Sequence, residues 1–265
     1  MDTLFWYKLL QSFLVGSIWI TVSTLIAEKY GSKIGGFIGG LPSTIIIALL
    51  FIGITQSPEA AVRATTVVPL TMGINGIFTL VYLISIKRGL PIALTLAFLV
   101  WIALVGPLAM SGLDNFPLAI GGWLLLMVFY FVAVEKFANI PAHGKVNVHY
   151  TSIQIIARGL FAGILIAFAV FISKLAGPIL GGIFSVFPVI FTSSMVITYR
   201  SGGYKFSRAV VKTLVVSAMV NVSVYSIAVR YTYGWLGLAW GTLAAIGVSM
   251  ITAWFTFYII RKWLK

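Results

Sequence analysis

The sequence predicts an all-α fold: a polytopic membrane helix bundle of about nine transmembrane helices, with 4+1+4 inverted-topology repeats. Three observations predict it. Of 265 residues, 60% are apolar and 9% charged, and the mean hydropathy is +1.08. A soluble domain carries about 25% charged residues and could not cover its surface with so few polar groups. Apolar runs of about 20 residues recur along the whole chain, each able to cross a hydrocarbon core of about 30 Å. The basic residues stand at the ends of those runs and divide unequally between two sides. Soluble enzymes, secreted disulfide scaffolds and, despite the net charge of +13, nucleic-acid modules are excluded. Continuous runs, rather than alternating segments of about 10 residues, exclude an outer-membrane barrel. There is no cysteine, hence no thiolate metal site.

In chain order the spans fall at about 4–28, 34–55, 60–86, 90–110, 117–137, 153–174, 177–199, 207–232 and 235–260. The first is longer than the apolar core of a signal peptide, and Leu25 spoils a small-x-small cleavage site before Glu28, so it is read as a mature helix. The breaks are Glu28–Lys33, Gln56-Ser57-Pro58-Glu59, Lys87-Arg88-Gly89, Ser111–Phe116, Asn139–Ser152, Lys174–Gly177, Arg200-Ser201-Gly202-Gly203 and Tyr233-Gly234. Most are short enough for antiparallel hairpins; only Asn139–Ser152 is a linker.

The charges test this count. With nine spans, Lys8, Arg63, Lys174 and Arg230 collect on one side and the other 14 Lys and Arg on the opposite side. That asymmetry is a positive-inside signal. It predicts a multi-pass protein of the plasma or inner membrane, N-terminus outside and C-terminus cytoplasmic. Trp6, Tyr7, Tyr258 and Trp263 suit the two interfacial belts.

Sliding the chain on itself by 146 residues superposes the first four spans on the last four. Gly35-Gly36 falls on Gly181-Gly182, Pro42 on Pro188 and Asn75 on Asn221. Aliphatic matches mean little in this composition, whereas glycine, proline and asparagine at fixed spacing are informative. The predicted organisation is a first repeat over 1–110, a linking span and cytoplasmic linker over 111–152, and a second repeat over 153–265. Five spans separate equivalent points, so the second repeat enters the bilayer from the opposite side, a plan common among secondary transporters.

The candidate site follows from the same residues. Pro42 and Pro188 each remove a backbone donor inside a span, and a freed carbonyl at that depth must be buried in protein or face water. They mark either unwound segments lining a central site or tightly packed kinks. Asn75 and Asn221 lie near mid-span and should face the bundle interior, as substrate contacts or as structural interhelical bonds. Ser43, Thr44, Thr192, Ser193 and Ser194 follow the prolines, where hydroxyls bond a ligand, cap a restarting half-helix, or simply bond back to the preceding turn. Arg63 is either an anion guide or a snorkelling interfacial residue. His143 and His149 stand in the linker without carboxylate company, so no metal or cofactor is expected.

The span centres carry no Asp, Glu, Lys, Arg or His. This disfavours proton relays, divalent-metal transport and intramembrane enzymes, which need paired acids, bases or nucleophiles. The run Gly-Gly-x-x-x-x-x-Pro inside a four-span unit resembles the small GlpM-like and DUF3147-type integral membrane proteins, here as an internally duplicated form. That resemblance implies an integral membrane protein and supplies no binding residues. The expected function is transport or flipping of a small neutral or amphipathic organic molecule or lipid by alternating access. The alternative is a non-transporting subunit or lipid-organising scaffold. Expected partners are membrane lipids and the small-molecule or lipid substrate, with a homodimer left open and no nucleic acid.

Overall fold

The computed structural model describes residues 1–29, 41–138 and 151–263, and these are helical throughout, with no strand among them. The glycines at 35, 36, 39 and 40 and most of the 139–152 linker, with His143 and His149, lie outside the described residues. Helix α1 is Thr3–Lys29, α2 Ser43–Thr55, α3 Pro58–Arg88 and α4 Leu90–Met110. Helix α5, Phe116–Ala133, continues as a π-turn over Val134–Ala138. Helix α6 is Ser152–Ala176 and α7 Pro178–Ser185. The long stretch Val189–Trp263 is divided by non-helical backbone at Gly203 and Gly237 into α8 (189–202), α9 (204–236) and α10 (238–263). Among the described residues six apolar stretches are long enough to cross a membrane, and α2 is a shorter apolar helix.

Local signals explain the helix starts. Ser57 Oγ accepts from the Ala60 amide at the start of α3, with Pro58 in the first turn where no donor is needed. Asn115 caps α5 in the same way through the Leu118 amide. At α6, Thr151 and Gln154 form a reciprocal capping box. The predicted joints at 56–59, 87–89, 111–116, 174–177 and 200–203 coincide with helix ends. The predicted break at Tyr233-Gly234 is displaced: the chain stays helical there and turns at Gly237 (φ 69°, ψ −177°). Tyr233 is held inside α9, buried, with its hydroxyl 2.8 Å from Thr242 Oγ1 on α10. Gly203 (φ 71°, ψ −174°) has the same conformation, one open to glycine alone. The predicted span 177–199 is two helices, α7 and α8, parted at Val186-Phe187-Pro188.

Helix α3 is the centre of the bundle. Buried residues fill 78% of its most apolar window, against 22% for α1 and 28% for α4 and α5. Around it pack α4, α5 and α9. The outer helices show apolar side chains outward, among them Met110, Leu125 and Trp240, as a lipid surround permits.

Helices α1 and α6 cross closely over small residues. Gly159 packs against Ser17 and Thr21, Gly163 against Phe13 and Ser17, and Gly16 against Ile166. Numbers rise on one helix as they fall on the other, so the pair is antiparallel. Helix α3 runs antiparallel to α9 by the same test: Tyr82 meets Ser207, Gly76 meets Met219, and Thr66 meets Arg230.

Candidate functional site

The α7–α8 break supplies the most unusual backbone near the centre of the bundle. Proline at 188 cannot donate, so the helical ladder stops. The Val189 amide turns back to the Phe187 carbonyl (2.7 Å), and the new helix opens with Thr192 N to Pro188 O (2.9 Å). At the start of α2 the chain does the same: Ser43 N meets Leu41 O at 2.8 Å and Ile46 N meets Pro42 O at 3.1 Å. Both prolines are buried.

Asn75, fully buried on α3, reaches the break. Its Nδ2 donates to the Val186 carbonyl at 2.7 Å, and its Oδ1 accepts from Trp101 Nε1 on α4 at 2.8 Å. The amide therefore ties three elements together and satisfies a carbonyl that the broken helix cannot. A contact from Nδ2 to Met72 Sδ, 3.5 Å, adds little. Asn221, also fully buried, sits on α9. Its Nδ2 donates to Ser217 Oγ at 3.0 Å, its Oδ1 accepts from Thr256 at 3.4 Å, and its carbonyl accepts from Ser249 at 3.2 Å. Asn75 and Asn221 do not bond each other in any interaction among the described residues.

The hydroxyls behave differently in the two halves. Thr192 donates to the Pro188 carbonyl (2.8 Å) and Ser193 to the Ile190 carbonyl (3.1 Å), the back-bonding arrangement. Ser194 accepts from Arg158 Nη1 at 3.2 Å. Ser43 and Thr44 are half-buried, and their hydroxyls have no partner among the described residues. Arg63 is exposed and paired with Asp114 (2.8 Å), not aimed into the bundle.

Sequence reasoning missed two features. Trp101, not singled out in the sequence, is a donor to Asn75; an indole N–H in mid-span demands a partner, and that was the signal available. A buried hydroxyl cluster links α3 to the α8–α9 turn: Tyr82 Oη lies 2.6 Å from Ser207 Oγ, which accepts from Thr198 at 2.9 Å. Serine and threonine are common enough in membrane helices that neither position stands out. Apart from the Arg158 guanidinium on Ser194, the described residues of the site offer amides, hydroxyls and backbone carbonyls, with no carboxylate or imidazole among them. It can recognise uncharged polar groups by hydrogen bonding, and among the described residues nothing gathers three or more metal-ligating side chains.

Residues 9–109 match the model of a family described as a protein of unknown function (DUF3147). The match covers α1 to α4, and so the first proline break and Asn75. No curated protein and no solved structure matches the chain.

Proposed function

We propose that this chain, whose residues 9–109 carry the DUF3147 resemblance, is a membrane transporter or flippase working by alternating access between two inverted repeats. One observation carries the reading. The two proline breaks, 146 residues apart, share one hydrogen-bond pattern, so Leu41–Ile46 and Phe187–Thr192 are the same backbone device used twice. A proline that opens a helix at corresponding positions of two halves, and in the second half parts it from the helix before, is the kind of feature that points to the binding site of such proteins.

Two packing facts support the inversion. Under the 146-residue shift Phe13 corresponds to Gly159 and Ser17 to Gly163. The contact of Phe13 with Gly163 and that of Ser17 with Gly159 are thus one contact and its mirror, the signature of a two-fold relation. Equivalent helices are antiparallel in both pairs, α1 with α6 and α3 with α9, which suits an axis lying in the membrane plane. Long-range contacts also join ends that nine alternating spans place on one side. Lys8 bonds the Ile54 carbonyl, Gln56 bonds Ser173, and Arg230 lies over the Phe116 ring.

In this reading Pro42, Ser43 and Thr44 with Asn221, and Pro188, Thr192 and Ser193 with Asn75, line the path. The uncharged donors and acceptors select a neutral or amphipathic organic molecule or a lipid. The test is reconstitution in liposomes with a fluorescent-tailed phospholipid and a panel of neutral metabolites. Movement of at least one probe, reduced tenfold or more by Asn75→Ala or Asn221→Ala in folded protein, is expected. No movement of any probe by well-folded protein rejects the reading.

One observation favours a static scaffold instead. Both polar ends of Asn75 are engaged by protein, which leaves a substrate at most its second N–H and second lone pair in this conformation. A scaffold would show no flux and would retain tightly bound lipid through purification.

A further inference from the structure

The charged residues sort by end of the bundle. Tyr82, close to the Arg88 end of α3, meets Ser207 at the start of α9 (2.6 Å), and Arg158, near the start of α6, reaches Ser194 on α8 (3.2 Å). These contacts bring Lys87, Arg88, Arg158, Arg200, Lys205, Arg208 and Lys212 to one end. Glu59 stands in the first turn of α3, at the other end, where Arg63 pairs with Asp114 and Lys8 bonds the Ile54 carbonyl. Helices α1 and α5 start at that far end, which also takes Asp2. Of the five acids in the chain only Glu28 and Glu135 are left for the basic end. Two carboxylates cannot answer so many cations, whichever pairs they form.

Depth separates these cations into two kinds. Arg200 and Lys205 flank the Gly203 corner and are exposed, which is all that orienting a chain asks of a charge. By helix rise, Arg208 lies about 6 Å and Lys212 about 12 Å past the start of α9, and Arg158 about 9 Å past the Ser152 start of α6. Arg208 is 8% exposed; Lys212 and Arg158 are half-buried. Cations set below a helix end carry a desolvation cost that orientation does not require. Spacings of three and four residues put Lys205, Arg208 and Lys212 on one face of α9, a file of positive charge running inward from the corner. Arg158 is linked to the same turn: Thr198, one turn past Ser194, donates to the Ser194 carbonyl (2.6 Å) and to Ser207 Oγ (2.9 Å). The first half forms the same helices without these charges, since the positions 146 earlier are Ser12, Glu59, Val62 and Thr66. The surroundings are apolar and outward: Ile84, two residues past Tyr82, and Ile153 and Ile156, beside Arg158, are all exposed.

We propose that the α9 face carrying Lys205, Arg208 and Lys212, with Arg158 of α6, binds the headgroup of an anionic phospholipid in the leaflet at the basic end. Charge complementarity supplies the attraction, and the exposed isoleucines alongside suit the acyl chains that come with the phosphate. The lysines act as point charges at the edge, and the Arg208 guanidinium offers a planar fork to phosphate oxygens. The site goes beyond the transport reading: it holds whether the lipid is cargo or a fixed neighbour, and whichever compartment the basic end faces.

The probes are phosphatidylglycerol and phosphatidylcholine, each spin-labelled near the tail end, in phosphatidylcholine bilayers holding the purified protein. Electron paramagnetic resonance reads the fraction of each that the protein immobilises. Phosphatidylglycerol should be preferred by about threefold at low salt. Lys205→Gln with Lys212→Gln should remove most of that preference. Lys87→Gln with Arg88→Gln, an equal loss of charge at the same end, should leave it unchanged. Arg208→Gln should act like the lysine pair and Arg208→Lys should retain the preference; if Arg208→Gln does not fold, the lysine pair, which is less buried, decides. No preference in the parent protein, or equal losses in the two double variants, would overturn the proposal, the second because charge spread over the whole end would then explain the effect. Soluble glycerol phosphate should release no more labelled lipid than sodium chloride of equal ionic strength; if it releases more, the site takes a dissolved anion and the lipid assignment falls. The labels enter both leaflets, so a variant inserted the other way round reads the same. Protein that shows the preference but moves no probe keeps this site and loses the transport reading, and flux without the preference does the reverse.

Discussion

Replacing Asn75 by alanine should lower folding stability by about 2–4 kcal/mol. The amide is fully buried and makes two short bonds, 2.7 Å to the Val186 carbonyl and 2.8 Å from the Trp101 indole. Alanine leaves both partners stranded where Trp101 is 4% exposed and Val186 5%. A stranded group in a protein interior costs about 1–3 kcal/mol, whereas interhelical bonds in bilayers average only about 0.6 and reach about 1.7 kcal/mol. The membrane values pull each group towards the low end, and two groups at about 1–2 kcal/mol give the stated range. Trp101→Phe keeps the ring and strands only the Asn75 oxygen, so about 1–2 kcal/mol is expected. The double variant strands neither of these two groups and should fall short of the sum by about 1 kcal/mol. The assay is equilibrium unfolding in mixed micelles of rising dodecyl sulfate fraction, followed by far-UV circular dichroism. An Asn75→Ala protein within about 0.5 kcal/mol of the parent, or strictly additive double-variant losses, would refute the claim that the amide bridges the break.

Three further outcomes are expected in the same unfolding assay. Gly163→Leu should destabilise by about 2 kcal/mol or more, because a Cβ there meets Ser17 Oγ and the Phe13 carbonyl, while Gly121→Leu, facing open space, should change stability by less than about 0.5 kcal/mol. Tyr82→Phe should cost about 1–2 kcal/mol by leaving Ser207 without its 2.6 Å partner, with Ser207→Ala similar and the pair non-additive. Asp114→Asn should shift stability by less than about 0.5 kcal/mol, because the Arg63 pair is exposed and screened by water; a loss above 1 kcal/mol would show that the pair clamps the α4–α5 joint.

Positions along the helices were readable in the sequence, and positions around them were not. Span limits follow from apolar run length, and the breaks from glycine, proline and charge; Pro42, Pro188, Asn75 and Asn221 stood out as minority residues at a fixed spacing. The face each helix buries is another matter. In a soluble helix the polar stripe marks the outside, but lipid is as apolar as leucine, so both faces of α3 or α4 read alike. That is why Trp101, Tyr82 and Ser207 were unmarked, and why the carbonyl that Asn75 satisfies could not be named. The displacement of one turn from Gly234 to Gly237 has a similar cause. Two glycines three apart are equivalent in composition, and the choice is made by Tyr233 finding Thr242 across the hairpin.

The one-residue corners at Gly203 and Gly237 have a practical corollary. Successive long helices there join with almost no chain left over, so little backbone emerges into water for a protease to cut or an antibody to grip. Epitope insertions at those corners would have to be accommodated by unwinding a helix end. Fusion partners for imaging or capture should be spliced instead into the hydrophilic stretch between α5 and α6.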